Sequence, residues 1–234
     1  MIIKDEQIFF GENIEIDGVG TLVQPKSKDI AKIGNDNYFN LLMPFFITKD
    51  NIKEQYDIDE IYDFFFLEDN QSLLQHIAAC LNLFFQQDIE YGVEGSDIHF
   101  KVGEDGIVGR HNFEQLQEVI RKINCIKLPE PEKLPENITP EKLKIHEKMK
   151  FHRNRRAKIE EPTFKEIINT VMHKGSSFIS YKEVSEFTYY QLINSYQVIV
   201  GLSNFDEYMG YKLSAKYEDP KEDMPHWQKI IKMI

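Results

Sequence analysis

Residues 127–140 read KLPEPEKLPENITP, and four of them are proline: Pro129, Pro131, Pro135 and Pro140. Each proline fixes φ and lacks an N–H, so the stretch cannot be a continuous helix or a central strand. It reads as an extended linker and sets the domain boundary. Immediately after it, residues 141–158 (EKLKIHEKMKFHRNRRAK) carry eight basic and two acidic side chains, a basic helical segment. Residues 1–126 are the opposite, with 23 Asp and Glu against 10 Lys and Arg. The pattern predicts an α+β chain in three parts. These are an acidic mixed domain at 1–126, a Pro-rich linker with a basic helical segment at 127–158, and a small all-α domain at 159–234.

In the first part, Asn13-Ile14-Glu15-Ile16 alternates, Asp17-Gly18 is a tight-turn signal, and Val19 to Val23 return as a second strand. A short helix follows, capped by Ser27, carrying Ile30 and Ile33 and closed by Gly34. A dense apolar stretch from Phe39 to Phe46 is interrupted by Pro44, and Thr48 caps another helix. Asp59 to Leu67 and Asn70 to Gln87 read as consecutive helices. In the second, Leu73, Leu74, Ile77, Leu81, Phe84 and Phe85 form one broad face. Ile89 to Val93, Asp97 to Val102 and Gly106 to Val108 suit a small antiparallel meander. Asn112 is expected to cap a last helix bearing Phe113, Leu116, Val119, Ile120 and Ile123 on one side.

In the third part Thr163 caps a helix bearing Phe164, Ile167, Ile168 and Val171, with Gly175 as its stop. Ser180 caps Tyr181 to Phe187, and Thr188 caps a longer helix with Tyr189, Leu192, Ile193, Tyr196 and Ile199 in register. Gly201 and Ser203-Asn204 are expected to break the chain before Phe205 to Tyr211. The tail from Pro225 to Lys232 ends the bundle, docked by the single tryptophan, Trp227.

The 234 residues are 41% hydrophobic, 29% charged and 12% aromatic, which provides a real core and argues against wholesale disorder. No apolar run approaches the roughly 20 residues that span a bilayer. The first residues (MIIKDEQIFFGENIEID) lack a long apolar segment and a small-residue cleavage site, and two cysteines are too few for a disulfide scaffold. A reducing cytoplasmic setting is the expectation, with no membrane association.

The sequence contains no G-x-x-x-x-G-K-[ST] loop, G-x-S-x-G elbow, H-E-x-x-H or C-x-x-C. Gly103, Gly106 and Gly109 lie three apart in GEDGIVGR, but Glu104 and Asp105 among them repel phosphate, so they read as turn glycines. His99 and His111 flank that hairpin and lack a third metal ligand nearby. His146 and His152, six apart, are out of phase on a helix. Cys80 and Cys125 read as buried small hydrophobes on helices. Asp57, Asp59, Glu60 and Asp63 read as a solvated helix start. No catalytic residue, metal ligand or cofactor-binding residue is assigned, and the expectation is a protein that is not an enzyme.

Partner binding is the chemistry that competes. Lys148, Lys150, Arg153, Arg155, Arg156 and Lys158 form a cationic stripe around Phe151, suited to an acidic protein surface or to phosphates, with a solvated connector helix as the alternative. The acidic remainder of the chain disfavours nucleic acid. Tyr189, Tyr190 and Tyr196 cannot all face one core at helical spacing, so one or two are candidate partner anchors, with core packing of all but Tyr190 as the alternative. Trp227 is the remaining candidate, with a core role as the alternative.

Residues 163–202 (TFKEIINTVMHKGSSFISYKEVSEFTYYQLINSYQVIVGL), followed by HWQKIIK at 226–232, resemble proteins of the tail-morphogenesis modules of tailed phages and prophages of Gram-positive bacteria. The hairpin and helix around VQPKSKDIAKIGNDNYF (23–39) and the basic KFHRNRRAK (150–158) belong to the same pattern. The resemblance implies a non-enzymatic tail-assembly chaperone. It would bind tape-measure or tail-tube protein in the host cytoplasm. The alternatives are a structural virion component such as a connector or baseplate piece, or a phage nucleic-acid-binding or host-directed protein acting through 142–158.

Overall fold

The computed structural model describes residues 4–52, 60–67, 70–94, 97–128, 144–145, 148–149, 152, 162–175 and 177–213. They form a mixed α+β architecture of helices around two small antiparallel sheets.

A helix that alternation did not reveal, α1 (Asp5–Phe10), opens the described chain and closes on Gly11 in the left-handed region. The Gln24 amide, itself buried, donates to the carbonyls of Gln7 and Glu12 and so holds the end of this helix. Strands β1 (Ile14–Ile16) and β2 (Gly20–Leu22) pair antiparallel, with Ile14 opposite Leu22. Ile14, Ile16 and Leu22 enter the core, and Gly18 supplies the positive φ the tight turn needs.

Helix α2 (Ser27–Ile33) begins one residue earlier than a Ser27 cap implies. Lys26 occupies the cap position, and the Ser27 hydroxyl is engaged elsewhere. Helix α3 (Asn35–Phe46) runs through Pro44 rather than breaking at it. Pro44 lies near the C-terminal end. There the buried Gln117 amide donates to the carbonyls of Pro44 (3.2 Å) and Ile47 (2.9 Å), taking up acceptors left open at the helix end. After α4 (Lys49–Ile52), the segment read as a helix to Leu67 is one helical turn, α5 (Ile61–Phe64), followed by turns. Helix α6 (Gln71–Phe85) buries Ile77, Cys80, Leu81, Phe84 and Phe85 and packs on α3.

Strands β3 (Ile89–Glu94), β4 (Asp97–Val102) and β5 (Gly106–Val108) form the expected meander in that order. Helix α7 (Arg110–Ile123) buries all five residues of its apolar stripe. Its cap is Gly109, not Asn112. Asn112 sits inside the first turn and accepts from the Gly109 N–H (2.9 Å), the reverse of the expected polarity. Phe113 is the hub of the core. Its ring stacks on Phe45 at 5.8 Å and meets Tyr62 and Phe65 at 5.3 Å each.

Helix α8 (Phe164–His173) and α9 (Tyr181–Ser185) carry reciprocal capping boxes from Thr163 with Glu166 and Ser180 with Glu183. Helix α10 (Tyr189–Leu213) begins at the expected Thr188, which exchanges hydrogen bonds with Gln191. It continues through Gly201 and Ser203-Asn204 without the anticipated break. A glycine costs a helix only about 1 kcal/mol relative to alanine, which the surrounding turns outweigh. Cys125 also departs from expectation, lying beyond α7 in the left-handed region rather than on a helix. Residues 129–143, His146, and the tail with Trp227 lie outside the described residues.

Candidate functional site

Three places are candidate sites: the seam between the early and late helices, a cleft on the meander, and the basic segment.

The seam joins residues far apart in sequence. Lys26 and Thr188 form an antiparallel bridge. The Phe187 carbonyl accepts from both the Ser27 N–H (2.7 Å) and the Ser27 hydroxyl (2.9 Å). Around this backbone contact, Glu186 takes Lys26 at 2.7 Å and Lys28 at 2.5 Å. Those ammonium groups hold the Glu186 carboxyl down at about 2. The Gln191 amide donates to Phe9 at 3.0 Å, tying α10 to α1. Tyr189 fills the apolar side, packed on Tyr38 and Phe39 and shared by both buried clusters. Tyr38 is fully buried and donates to Asn124, whose amide in turn donates to Ile120 (2.8 Å). Burial raises the Tyr38 and Tyr189 hydroxyls well above the ordinary phenol range and the Cys125 thiol to about 11. These groups are therefore neutral packing elements at neutral pH.

The cleft has a volume of about 720 Å³ and lies where α5, β4, β5 and the start of α7 meet. Tyr62 forms its floor, donating to Ile98 at 2.8 Å with Val108 at 3.3 Å. Arg110, the first residue of α7, stands where the positive helix end disfavours a cation. Asp63 offsets this at 2.6 Å, with Glu60 further away at 3.6 Å. His99 and His111 line the same cleft, the His111 ring beside Gly109 and the His99 ring beside Gly92 on β3. The acidic cluster is therefore partly an ion-paired wall, with Asp57 and Asp59 outside the described residues. Among the described residues, no group of three or more His, Cys, Asp or Glu is placed to hold a metal ion.

The glycines of GEDGIVGR act in turns and close contacts. Gly103 has a positive φ. A Cβ on Gly106 would lie 2.1 Å from the Val19 carbonyl oxygen, where the first hairpin crosses β5.

Of the partner candidates, Lys148 is helical and exposed, while Lys150, Arg153, Arg155, Arg156, Lys158 and Trp227 lie outside the described residues. Tyr189 and Tyr190 pack on the larger core, and Tyr196 on the smaller one. All three are half-buried. Sequence periodicity did not single out Phe9 and Phe10. On α1 they stand 49% and 67% exposed, edge to face at 5.4 Å. The adjacency of two aromatics in a short polar helix is the signal that marks them.

Residues 154–232 match a family described as the YomV second domain. The match supports a phage-type protein. It covers about a third of the chain and includes α8, α9 and α10, the helices that close the seam. No curated protein and no solved structure matches the chain. Among the described residues, no helix is long and apolar enough to cross a membrane.

Proposed function

We propose that this chain is a non-enzymatic phage protein acting in tail assembly, holding tape-measure or tail-tube protein in the host cytoplasm through protein–protein contacts. The observation that carries partner binding is the exposed Phe9–Phe10 pair on α1, which packs against α10 of the phage-type region. Paired aromatics in water are costly to leave uncovered and are frequent anchors of interfaces. Tyr189 is less suited to that role because it is engaged in the seam. The exposed Lys148 and its neighbouring basic residues supply a second, electrostatic contact. Two linked weak contacts raise the effective affinity for one partner.

The test is a pull-down from phage-infected lysate with the tagged full-length chain, at low and high salt and after nuclease. The expected result is a tail protein retained after nuclease and lost in a Phe9→Ala, Phe10→Ala variant that still melts as the parent does. Recovery of nucleic acid alone, released by high salt, overturns the reading in favour of the basic segment. Detection of the chain by mass spectrometry in purified particles reassigns it as a virion component.

A further inference from the structure

We infer that the cleft on the meander is a docking pocket for a basic side chain, Arg or Lys, next to an apolar residue on an extended segment of a protein partner. It deepens the partner-binding reading and rests on it only for the ligand's being part of a protein.

Three features select that ligand. The first is shape and lining. A volume of about 720 Å³ holds a few side chains rather than a helix, and Phe66, Leu67, Ile98 and Ile107 give it apolar walls. Ile107 is 41% exposed on a strand that otherwise buries its neighbours Gly106 and Val108.

The second is charge. Glu60 and Asp63 face one guanidinium, and only Asp63 holds Arg110 at close range (2.6 Å against 3.6 Å). Two carboxylates therefore share one guanidinium, which leaves this ion-paired group with a net negative charge. Residues 1–126, with 23 acidic and 10 basic side chains, add a field of the same sign. An incoming cation gains from both, which offsets the positive end of α7 at the same cleft.

The third is chemistry. An Arg or Lys stem is apolar and its head is cationic, which matches apolar walls with a carboxylate at the rim. A guanidinium also lies favourably against an aromatic face such as Phe66.

The experiment follows amide shifts of the ¹⁵N-labelled full-length chain on titration with N-acetyl-leucyl-arginine amide, and with its neutral citrulline analogue. Saturable shifts are expected at Ile107, Gly109 and His111 with the arginine peptide and much weaker ones with citrulline. Glu60→Gln should weaken binding about two- to fivefold, and Arg110→Gln, which removes the competing cation, should strengthen it by a similar factor. Both positions are half-exposed, so unchanged melting curves are expected alongside. The proposal is overturned by equal affinity for citrulline, by the absence of saturable shifts in the cleft up to about 10 mM peptide, or by an unaltered affinity in both variants. Tighter binding of spermidine at the same residues would transfer the site to polyamines. None of these outcomes depends on a phage protein, so failure here and failure of the pull-down are separate results.

Discussion

Tyr189 sits edge-on to Phe39, ring centroids 5.5 Å apart at 74°, and this contact joins the first residue of α10 to the middle of α3. The same ring leans on Tyr38 at 6.2 Å, and Tyr189 belongs to both apolar clusters. The late helices are therefore held to the early ones by shared packing as well as by hydrogen bonds. Replacing Tyr189 by Ala should lower stability by about 2–4 kcal/mol, somewhat less than deleting a fully buried aromatic. Urea unfolding measures it, and a loss below about 0.5 kcal/mol would remove Tyr189 from the seam's energetics.

Beneath it, Tyr38 donates to Asn124 in a fully buried position. Tyr38→Phe keeps the ring but leaves the Asn124 carbonyl oxygen without its donor. A buried acceptor stripped of its partner costs about 1–3 kcal/mol. Thermal melts of Tyr38→Phe and of the Tyr38→Phe, Asn124→Leu double variant separate this penalty from packing, since removing both polar groups should recover part of the loss.

Glu186 carries the pH dependence of the seam. Hydrogen bonds from Lys26 and Lys28 lower its carboxyl from 4.5 to about 2, so the folded state favours the ionised form. Its contribution is fully present above pH 4.5 and is lost as pH falls through about 2. The group is exposed, so the effect is small and screened by salt. The melting temperatures of the parent and of Glu186→Gln should differ at neutral pH and converge towards pH 2. A difference independent of pH would assign the effect to packing.

Two glycines separate steric from conformational demand. Gly106→Ala places a methyl 2.1 Å from the Val19 oxygen and 2.7 Å from that of Val102, both backbone atoms that cannot turn aside. Gly18→Ala meets nothing within 4 Å and suffers only its positive φ of 73°. The first should cost more than about 2 kcal/mol and the second about 1–2 kcal/mol. Chemical denaturation ranks them, and the reverse order would contradict the crossing of the first hairpin over β5.

Local signals were legible wherever one element decides its own form. Thr163 and Ser180 cap their helices because each meets a glutamate three residues on, and Thr188 does so with Gln191. The α7 stripe and the β3–β4–β5 meander follow from periodicity alone, because burial of one face dictates spacing. The α+β class was readable for the same reason.

Only the tertiary structure decided what distant partners impose. Local sequence makes Ser27 a cap, and nothing nearby reveals that its hydroxyl serves Phe187, 160 residues away. Pro44 stays helical because Gln117 of another helix satisfies the carbonyls around it, and Gly106 is fixed by the oxygen of Val19. The cleft is the same case. His99, His111, Glu60 and Asp63 look like ordinary surface residues until the fold sets Arg110 and an apolar floor among them. Periodicity encodes which face is buried, whereas hydrogen bonds and charges between remote segments depend on where the chain returns, and spacing along the sequence does not record that.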